Sequence, residues 1–217
     1  MKGIQNLLFD LDGTLVDSRD TISASLSYAL DQVGLPSGVD ERIDTVIGTS
    51  LLDIFCNEYE MDQAQAEIAI DHYREHYDEL RQAGTHIYPD IECVLQHLRK
   101  AGFRLYIATV KPTAIAEKVL EDMQLREHFD GVAGSSMGHE RRDKSSIIAH
   151  ALNKYELDPI RSMMIGDRGQ DIAGAQDNGL RSMAVSYGFG SMEELQAAGP
   201  DHIAGRATDI ATILAPA

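Results

Sequence analysis

The sequence predicts an α/β protein whose core is a parallel β-sheet and which carries an inserted all-helical segment. Two observations lead to this fold class. Short apolar runs alternate with helical patterns in the second half of the chain, which is the order expected for a parallel sheet with crossover helices. The long segment between the first two runs shows only helical patterns, and one crossover helix would need far fewer residues.

Five short apolar runs are predicted to be the strands of the sheet, at residues 4–9, 103–109, 132–133, 163–165 and 182–185. The helices between them are predicted from apolar residues that recur on one face. One helix begins at Pro112, another contains Ile147, and the spacing of Ser191 and Glu194 is typical of a capping box at the start of a third.

The insertion is predicted to contain several helices of its own. An N-cap at Asp17 or Ser18 begins the first, and the longest, with Tyr73 and Tyr77 in its apolar stripe, ends at Gly84. A further helix over residues 89–101 leads into the second strand as an ordinary crossover.

These boundaries divide the chain into two predicted domains, with residues 1–15 and 84–217 forming the α/β core and residues 16–83 forming the helical insertion. Because the insertion begins just after the first strand, we expect it to lie near that strand's carboxyl end. An insertion at this place can close over a site and exclude water.

The composition excludes some classes of partner. The chain has 217 residues, of which 43% are hydrophobic, so it can bury a proper core. Its 19 Lys and Arg against 35 Asp and Glu give a formal net charge of −16. Such a chain should be repelled by nucleic acids and by anionic membranes. A small anionic substrate can still bind if a divalent cation screens the acidic groups.

Neither cysteine suggests a metal site or a disulfide framework. Cys56 and Cys93 lie far apart in the sequence, outside any C-x-x-C pattern, as expected for thiols in a reducing compartment. No run of 18 apolar residues suggests a membrane span, and the first residues do not resemble a signal peptide. We therefore expect a soluble, cytoplasmic protein.

The first candidate site lies directly after the first strand. Asp10 and Asp12 follow the apolar run, and Gly13 and Thr14 complete a turn. Asp, Gly and Thr are common in turns, so the pattern alone is compatible with a purely structural role. However, ligands of parallel sheets bind outside the carboxyl ends of the strands, and two neighbouring carboxylates there suit a metal-assisted nucleophile with an acid/base partner.

A second group of candidates lies at the starts of two helices. Thr109 ends the second predicted strand and precedes Val110, Lys111 and a helix start, where a hydroxyl and backbone N–H groups can bind phosphate oxygens. Lys144 begins another helix. The helix dipole disfavours a cation at this position, so the presence of a lysine here hints at a functional role. Lys111 shares this feature and is the reserve candidate.

The last candidates follow the fourth predicted strand. Asp167 lies at the end of that strand and Asp171 begins the next helix, where an acid is also a common structural residue. Asp167 would bring a third carboxylate to the crevice of Asp10 and Asp12. Three carboxylates indicate Mg²⁺, a hard cation that prefers oxygen ligands.

Together these motifs resemble the haloacid dehalogenase superfamily. The ordered set is Asp10-x-Asp12-Gly13-Thr14, Thr109, Lys144 and Gly166-Asp167-x-x-x-Asp171. The resemblance covers essentially the whole chain, and the segments 107–112, 129–131, 134–136 and 187–191 are similar to the bacterial phosphoglycolate phosphatase-like group. It implies a Rossmann-like core with an inserted helical cap, as in subfamily I members.

The resemblance also implies roles for single residues. Asp10 would be the nucleophile that forms an aspartyl-phosphate, and Asp12 would protonate the leaving alkoxide and later activate water. Thr109 and Lys144 would bind the phosphoryl oxygens, with Val110 and Lys111 as further contacts.

Mg²⁺ would be held by the Asp10 carboxylate, the Asp12 backbone carbonyl and Asp167, with Asp171 in support. Superfamily members that dehalogenate haloacids lack an acid at the position of Asp12, which favours phosphate chemistry. The expected partner is a small phosphorylated metabolite, with no nucleic acid or membrane, and the expected state is a monomer or homodimer.

The substrate stays open at this stage. Phosphoglycolate phosphatases often have Asn where this chain has Val110, and similar relatives act on nucleoside monophosphates, pyrophosphate or sugar phosphates. The uncharged loop 48–50 is where such enzymes sense the leaving group, and Arg42 and Arg74 are loose candidates for substrate contact. A mutase resembling β-phosphoglucomutase and a non-catalytic binding protein on the same fold are the alternatives.

Overall fold

A computed structural model describes residues 3–36, 43–136 and 141–215 of the chain. The chain forms two compact units, of which the first comprises Met1–Asp17 and Ile87–Ala217 and the second comprises Ser18–His86. The boundaries predicted from the sequence fall at residues 15/16 and 83/84. The assignment of the units as a catalytic core and a cap domain stays a prediction.

The strands are short and mostly buried. They are β1 (Asn6–Phe9), β2 (Val16–Asp17), β3 (His86–Ile87), β4 (Arg104–Pro112), β5 (Gly131–Ser135), β6 (Ser162–Gly166), β7 (Arg181–Val185) and β8 (His202–Ala204). Six of them form one sheet in the order β5-β4-β1-β6-β7-β8, and its neighbouring strands run parallel. This arrangement confirms the predicted α/β fold with a Rossmann-like parallel sheet.

The helices of the second unit are α1 (Arg19–Gln32), α2 (Ile43–Val46), α3 (Leu51–Asp53) and α4 (Gln63–Gly84), with a π-helical segment at Ile54–Glu58. The helices of the first unit are α5 (Ile91–Lys100), α6 (Thr113–Asp122), α7 (Lys144–Lys154), α8 (Gly169–Asp177), α9 (Met192–Ala198) and α10 (Ala207–Leu214). Short 3₁₀ turns lie at Arg126–His128 and Pro159–Arg161.

Strand β1 occupies the middle of the sheet. Its residue Asn6 is in register with Arg104 of β4 on one side and with Ser162 of β6 on the other. Leu7, Leu8 and Phe9 are fully buried between the helical layers. Because β1, β4 and β6 are parallel neighbours, the residues that follow them meet at one edge of the sheet.

Strand β4 is longer than the sequence suggested. It was predicted to end at Thr109, but it continues to Pro112 after a shift of register that pairs Pro112 with Ser135 of β5. The next helix accordingly begins at Thr113 and not at Pro112. Periodicity does not signal this bulge, because it depends on the pairing with β5.

Three short strands were not predicted. The two-residue strands β2 and β3 pair in a separate sheet, although the segment between the first two predicted strands was expected to hold no strand. Strand β8 extends the main sheet beyond β7. Runs of two or three residues are too short to show the alternating pattern that identifies a strand.

Among its described residues, the second unit has only helices as regular structure between its ends. Helix α4 begins with a capping box at Asp62, and its predicted stripe residues Tyr73 and Tyr77 are buried and stacked with ring centroids 5.7 Å apart. The uncharged loop 48–50 ends at Ser50, which caps α3 by accepting a bond from the Asp53 N–H. Arg42 lies outside the described residues.

Among the described residues, no helix has both the length and the apolar character needed to cross a membrane. The predicted cytoplasmic location stays a prediction. The two cysteines are free thiols, with Cys93 exposed and Cys56 half-buried.

Candidate functional site

Acidic side chains meet at the carboxyl edge of the sheet. Asp10 directly follows β1, Asp167 directly follows β6, and Asp171 lies in the first turn of α8. All three are buried, and one carboxylate oxygen from each lies within 4.8 Å of the others. This cluster has the oxygen donors and the spacing to hold a metal ion.

One lysine lies inside this acidic cluster. Lys144, the first residue of α7, places its Nζ atom 2.9 Å from Oδ1 of Asp10 and 2.7 Å from Oδ1 of Asp171. Its ammonium also donates to the carbonyl oxygen of Ala108 in β4 at 3.0 Å. The Lys144 side chain is only 1% exposed. The helix dipole disfavours a cation at this helix start, but the two carboxylates compensate for that by stabilising the buried ammonium.

Burial and mutual repulsion shift the acid–base equilibria of the cluster. Burial raises the pKa of Asp10 to about 6, against the lowering effect of Lys144. Burial also raises the pKa of Asp167 to about 8, and the charges of Asp171 and Asp10 add to the rise. Burial alone would lower the pKa of Lys144, but the attraction of the two neighbouring carboxylates outweighs it and raises that pKa.

The Asp167 carboxylate is held by groups from two loops. Its Oδ1 accepts from the Thr14 hydroxyl at 3.0 Å, and its Oδ2 accepts from the Phe189 backbone N–H at 2.9 Å. Gly13 has a φ of +86°, and a Cβ atom there would lie 2.1 Å from Oδ2 of Asp167. A Cβ on Gly188 would lie 2.4 Å from the Cβ of Asp167. Glycine is therefore required at both positions by the close approach of Asp167.

Asp12 pairs with a second lysine. Its Oδ2 lies 3.0 Å from Nζ of Lys111, and the two side chains are 11% and 8% exposed. The Asp12 carboxylate faces Lys111, while the three-carboxylate cluster comprises Asp10, Asp167 and Asp171. The predicted metal contact of Asp12 is through its backbone carbonyl, and it stays a prediction. Lys111 was predicted to contact phosphate, and the structure places its ammonium at the acid/base candidate.

Thr109 and Val110 lie buried in β4, on the same edge of the sheet. The Thr109 hydroxyl accepts from the backbone N–H of Lys111 at 3.3 Å, so the local turn after Thr109 is fixed by its own side chain. The backbone that was expected to form a helix start is the bulged end of β4. The role of Thr109 as a phosphate contact stays a prediction.

Several contact residues of the site were not singled out by the sequence. Tyr187 donates its hydroxyl to the carbonyl oxygen of Thr14 at 2.9 Å and packs edge-to-face on Tyr88. Burial and the nearby Asp167 charge raise the pKa of Tyr187. The segment 187–191 carries a family-like pattern, but nothing in that pattern indicates which of its groups bonds Asp167 or Thr14.

Arg74, a loose candidate for substrate contact, belongs to α4 of the second unit. Its Nη1 lies 3.9 Å from Oδ1 of Asp71, and its Nε is buried without a hydrogen-bond partner among the described residues. Its contact with substrate stays a prediction.

The charges of the site fit a divalent cation. Four carboxylates, those of Asp10, Asp12, Asp167 and Asp171, are accompanied by the ammonium groups of Lys111 and Lys144. If all of these groups are ionised, a net negative charge remains in a buried place, which is costly. The raised pKa values of Asp10 and Asp167 express that cost. A dication would balance this charge with ligands of the appropriate kind.

The chain is similar to known proteins over most of its length. Residues 7–185 match the haloacid dehalogenase-like hydrolase family. A 5'-nucleotidase from Pseudomonas aeruginosa is 37% identical, over 91% of this chain and 89% of that protein. The tyrosine-protein kinase PtkA from Mycobacterium tuberculosis is 33% identical, over 86% of this chain but 63% of that protein.

A phosphoglycolate phosphatase from Vibrio vulnificus is 27% identical, over 93% of this chain and 92% of that protein. Among solved structures, a predicted phosphatase from Clostridium acetobutylicum superposes with a TM-score of 0.93 at 34% identity. It covers 97% of this chain and 98% of that one.

Proposed function

The chain belongs to the haloacid dehalogenase-like hydrolases, and on this premise we propose that it is a Mg²⁺-dependent phosphomonoester hydrolase of small phosphorylated metabolites. The observation that carries the proposal is the pairing of two carboxylates with two lysines at one sheet edge. Asp10 pairs with Lys144, and Asp12, two residues further, pairs with Lys111. Nucleophile and acid/base candidates thus lie side by side, each next to a cation.

The metal would be held by the carboxylates of Asp10, Asp167 and Asp171, with the backbone carbonyl of Asp12 as a further ligand. When bound, Mg²⁺ would polarise the phosphoryl oxygens and offset the negative charge of the acids. The raised pKa of Asp167, about 8, supports this assignment, because burial and neighbouring acids disfavour its carboxylate form, and a nearby dication would stabilise that form.

In the first step, a carboxylate oxygen of Asp10 attacks phosphorus and forms a P–O bond, while the bond from phosphorus to the ester oxygen breaks. The bonds that the structure gives to the Asp10 carboxylate, from the Leu11 N–H and from Lys144, both fall on Oδ1. These two bonds hold the Asp10 carboxylate in a fixed orientation. The electron pair of the broken bond goes to the leaving oxygen, which takes a proton from the Asp12 carboxyl group.

In the second step, water attacks the phosphorus of the aspartyl-phosphate, and Asp12, now a carboxylate, takes the proton of that water. The bond between phosphorus and the Asp10 oxygen breaks, which releases phosphate and restores Asp10. Lys144 offsets the charge of Asp10 in both steps. Thr109, which lies in β4, binds the phosphoryl group through its hydroxyl. Positioning and charge neutralisation account for most of the rate in such transfers.

We propose two substrate classes for comparison. The chain is 37% identical to a 5'-nucleotidase but only 27% identical to a phosphoglycolate phosphatase. This difference in sequence identity favours nucleoside monophosphates over phosphoglycolate as substrates. Val110, in place of the Asn that is common in phosphoglycolate phosphatases, supports the same order. The proposed partner is this small metabolite alone, and the protein would act as a monomer or homodimer.

The test is a set of initial phosphate-release rates with Mg²⁺. The substrates are nucleoside monophosphates, phosphoglycolate, pyrophosphate, hexose phosphates and p-nitrophenyl phosphate, with Asp10→Asn as the inactive control. One substrate with a far higher kcat/KM would identify the leaving group. If a hexose phosphate is isomerised without release of phosphate, the protein is a phosphomutase and not a hydrolase. Activity that persists in Asp10→Asn would refute the nucleophile.

A further inference from the structure

The first turn of α9 carries a carboxylate that reaches away from its own helix. The sequence predicts a capping box at Ser191 and Glu194, and the Ser191 hydroxyl does accept from the Glu194 N–H at 3.1 Å. The Glu194 carboxylate, however, bonds the β6–α8 loop, which we define as Arg168 and Gly169, the latter being the first residue of α8. Its Oε1 accepts from the Gly169 N–H at 2.7 Å and from Nε of Arg168 at 3.0 Å. Only the Ser191 half of the capping box is therefore formed, because the Glu194 carboxylate bonds Arg168 and Gly169 and not the backbone of Ser191.

The residues that Glu194 holds lie between two acids of the site. Asp167 precedes Arg168, and Asp171 follows Gly169 by two positions. The backbone N–H of Arg168 donates to Oδ2 of Asp171 at 3.0 Å, and the N–H of Asp171 donates to the carbonyl oxygen of Arg168 at 3.0 Å. A displacement of this short loop would move both carboxylates, because their backbones flank it.

Space at the loop is limited. A Cβ atom on Gly169 would lie 3.2 Å from Cγ of Glu194, which shows how closely the Glu194 side chain approaches the Gly169 backbone. On the other side of the loop, a Cβ on Gly166 would lie 2.2 Å from Cγ of Asp171. The loop is thus fitted between α9 and the buried carboxylates, and Glu194 provides the polar contact on the α9 side.

The hydrogen bond that Glu194 accepts from Arg168 has a second effect on the cluster. Arg168 lies between Asp167 and Asp171 in the sequence, and buried carboxylates attract a guanidinium strongly. A guanidinium placed among them would compete with a divalent cation for the same oxygens. The hydrogen bond from Nε of Arg168 to Oε1 of Glu194 holds the guanidinium outside the cluster.

We propose that Glu194 is a positioning residue for the cation site, which fixes the β6–α8 loop so that Asp167 and Asp171 present their oxygens together. The inference rests on the proposed function, since it requires that the cluster binds a divalent cation. Glu194 acts through Gly169 and Arg168 and does not itself touch the cation. Residues that orient metal ligands in this way change metal affinity when they are removed.

The test is direct titration of the metal-free protein with Mn²⁺, with free Mn²⁺ followed by its EPR signal in the absence of substrate. Glu194→Ala should raise the Kd for Mn²⁺ by about 10-fold or more. Glu194→Gln retains an oxygen that can accept both bonds, so its Kd should stay within about threefold of the wild type. Glu193→Ala is the matched control, because it removes the same charge from an exposed position of the same helix turn.

Circular dichroism and the Tm of each metal-free variant separate positioning from folding. A lower Tm with an unchanged Kd in Glu194→Ala would overturn the proposal and leave Glu194 a structural residue. Equal weakening in Glu194→Ala and Glu194→Gln would also overturn it, since charge and not the hydrogen bonds would then be responsible. Absence of Mn²⁺ binding in the wild type would refute the cation site itself and the proposed function with it.

Discussion

Nζ of Lys144 lies 2.9 Å from Oδ1 of Asp10, in a place where both side chains are almost fully buried. The equivalent pair of Lys111 and Asp12 has a similar distance, 3.0 Å, but is somewhat more accessible. The two pairs therefore differ in their exposure to solvent. The buried pair suits the nucleophile, because its attraction to Lys144 is stronger away from bulk solvent, and the more open pair suits the acid/base residue, which must reach the leaving group and the attacking water.

Lys144→Met should remove most of the activity and much of the stability. Without the ammonium, the carboxylates of Asp10 and Asp171 remain buried next to each other, and breaking such a pair costs about 3–5 kcal/mol. The loss of charge compensation for the phosphoryl group should lower kcat by about 100-fold or more. Urea unfolding and steady-state kinetics measure the two effects.

Lys100→Met is the control for this experiment. Lys100 is exposed at the end of α5, so its replacement removes one positive charge without touching the site. Its stability and kcat should stay close to those of the wild type. If Lys144→Met showed the same small effects as Lys100→Met, the buried ammonium would have no part in either stability or turnover.

The stability of the metal-free protein should fall as the pH rises from about 4 to about 8. The pKa of Asp167 is about 8 in the folded protein, against an ordinary value of 3.8, so the folded state binds an extra proton over this range. The extra proton stabilises the folded state at low pH and is lost as the pH rises through 8. The slope reaches about 1.4 kcal/mol per pH unit for one such group.

Thermal unfolding at several pH values checks this prediction. Asp167→Asn should flatten the fall between pH 6 and 8, where Asp10, with a pKa of about 6, no longer contributes. Asp31→Asn, which changes an exposed acid of α1, should leave the slope unchanged. Mg²⁺ should raise the Tm more at pH 8 than at pH 5, because the cation binds the deprotonated carboxylates. An equal rise at both pH values would contradict the assignment of Asp167.

Gly188→Ala should damage the site while leaving the rest of the sheet intact. The new methyl group would lie 2.2 Å from the carbonyl oxygen of Gly13 and 2.4 Å from Cβ of Asp167, so one of them must move. Overpacking of this kind costs about 1–3 kcal/mol, and a displaced metal ligand should lower kcat/KM by about 100-fold.

Gly205→Ala is the matched replacement at a position with room. The nearest atom to a Cβ there is Oδ2 of Asp209 at 3.5 Å, an ordinary contact. Kinetics and urea unfolding of both variants should therefore separate a specific clash from the general effect of adding a methyl group. Similar results for the two variants would show that Gly188 has no special part in placing Asp167.

The sequence predicts the elements that depend on local patterns. The apolar runs identify the five longer strands of the sheet, and the acids after β1 and β6 follow from the rule that parallel strands end at one edge. The same reasoning places Lys144 at the start of α7, but only the structure shows that its ammonium lies between Asp10 and Asp171.

The contacts that the sequence does not predict depend on how distant segments pack. The spacing of Glu194 from Ser191 predicts a capping box. The hydrogen bond that its carboxylate accepts from Gly169, 25 positions earlier, depends instead on how α9 packs against the β6–α8 loop. The extension of β4 to Pro112 likewise depends on its pairing with Ser135. Lys111 illustrates the same limit, because its neighbour Asp12 is distant in sequence and no periodicity relates the two.

Asp12→Asn should slow different substrates to different extents. If Asp12 protonates the leaving oxygen, its loss matters most for alkyl phosphates, whose alkoxides are poor leaving groups. It matters less for p-nitrophenyl phosphate, whose phenolate leaves without a proton. Loss of general-acid catalysis should lower kcat about 10²–10⁴-fold for a nucleoside monophosphate or another alkyl ester. The loss in the first step should be much smaller for the nitrophenyl ester.

Because Asp12 also activates water in the second step, the difference must be measured on that first step. A pre-steady-state burst of p-nitrophenolate in Asp12→Asn, followed by slow turnover, is the expected result, since the aspartyl-phosphate forms but hydrolyses slowly. Asp10→Asn, which lacks the nucleophile, should show neither burst nor turnover with either ester. Equal slowing of the first step for both esters in Asp12→Asn would mean that Asp12 orients the substrate and does not donate the proton, and the pairing with Lys111 would then serve binding alone.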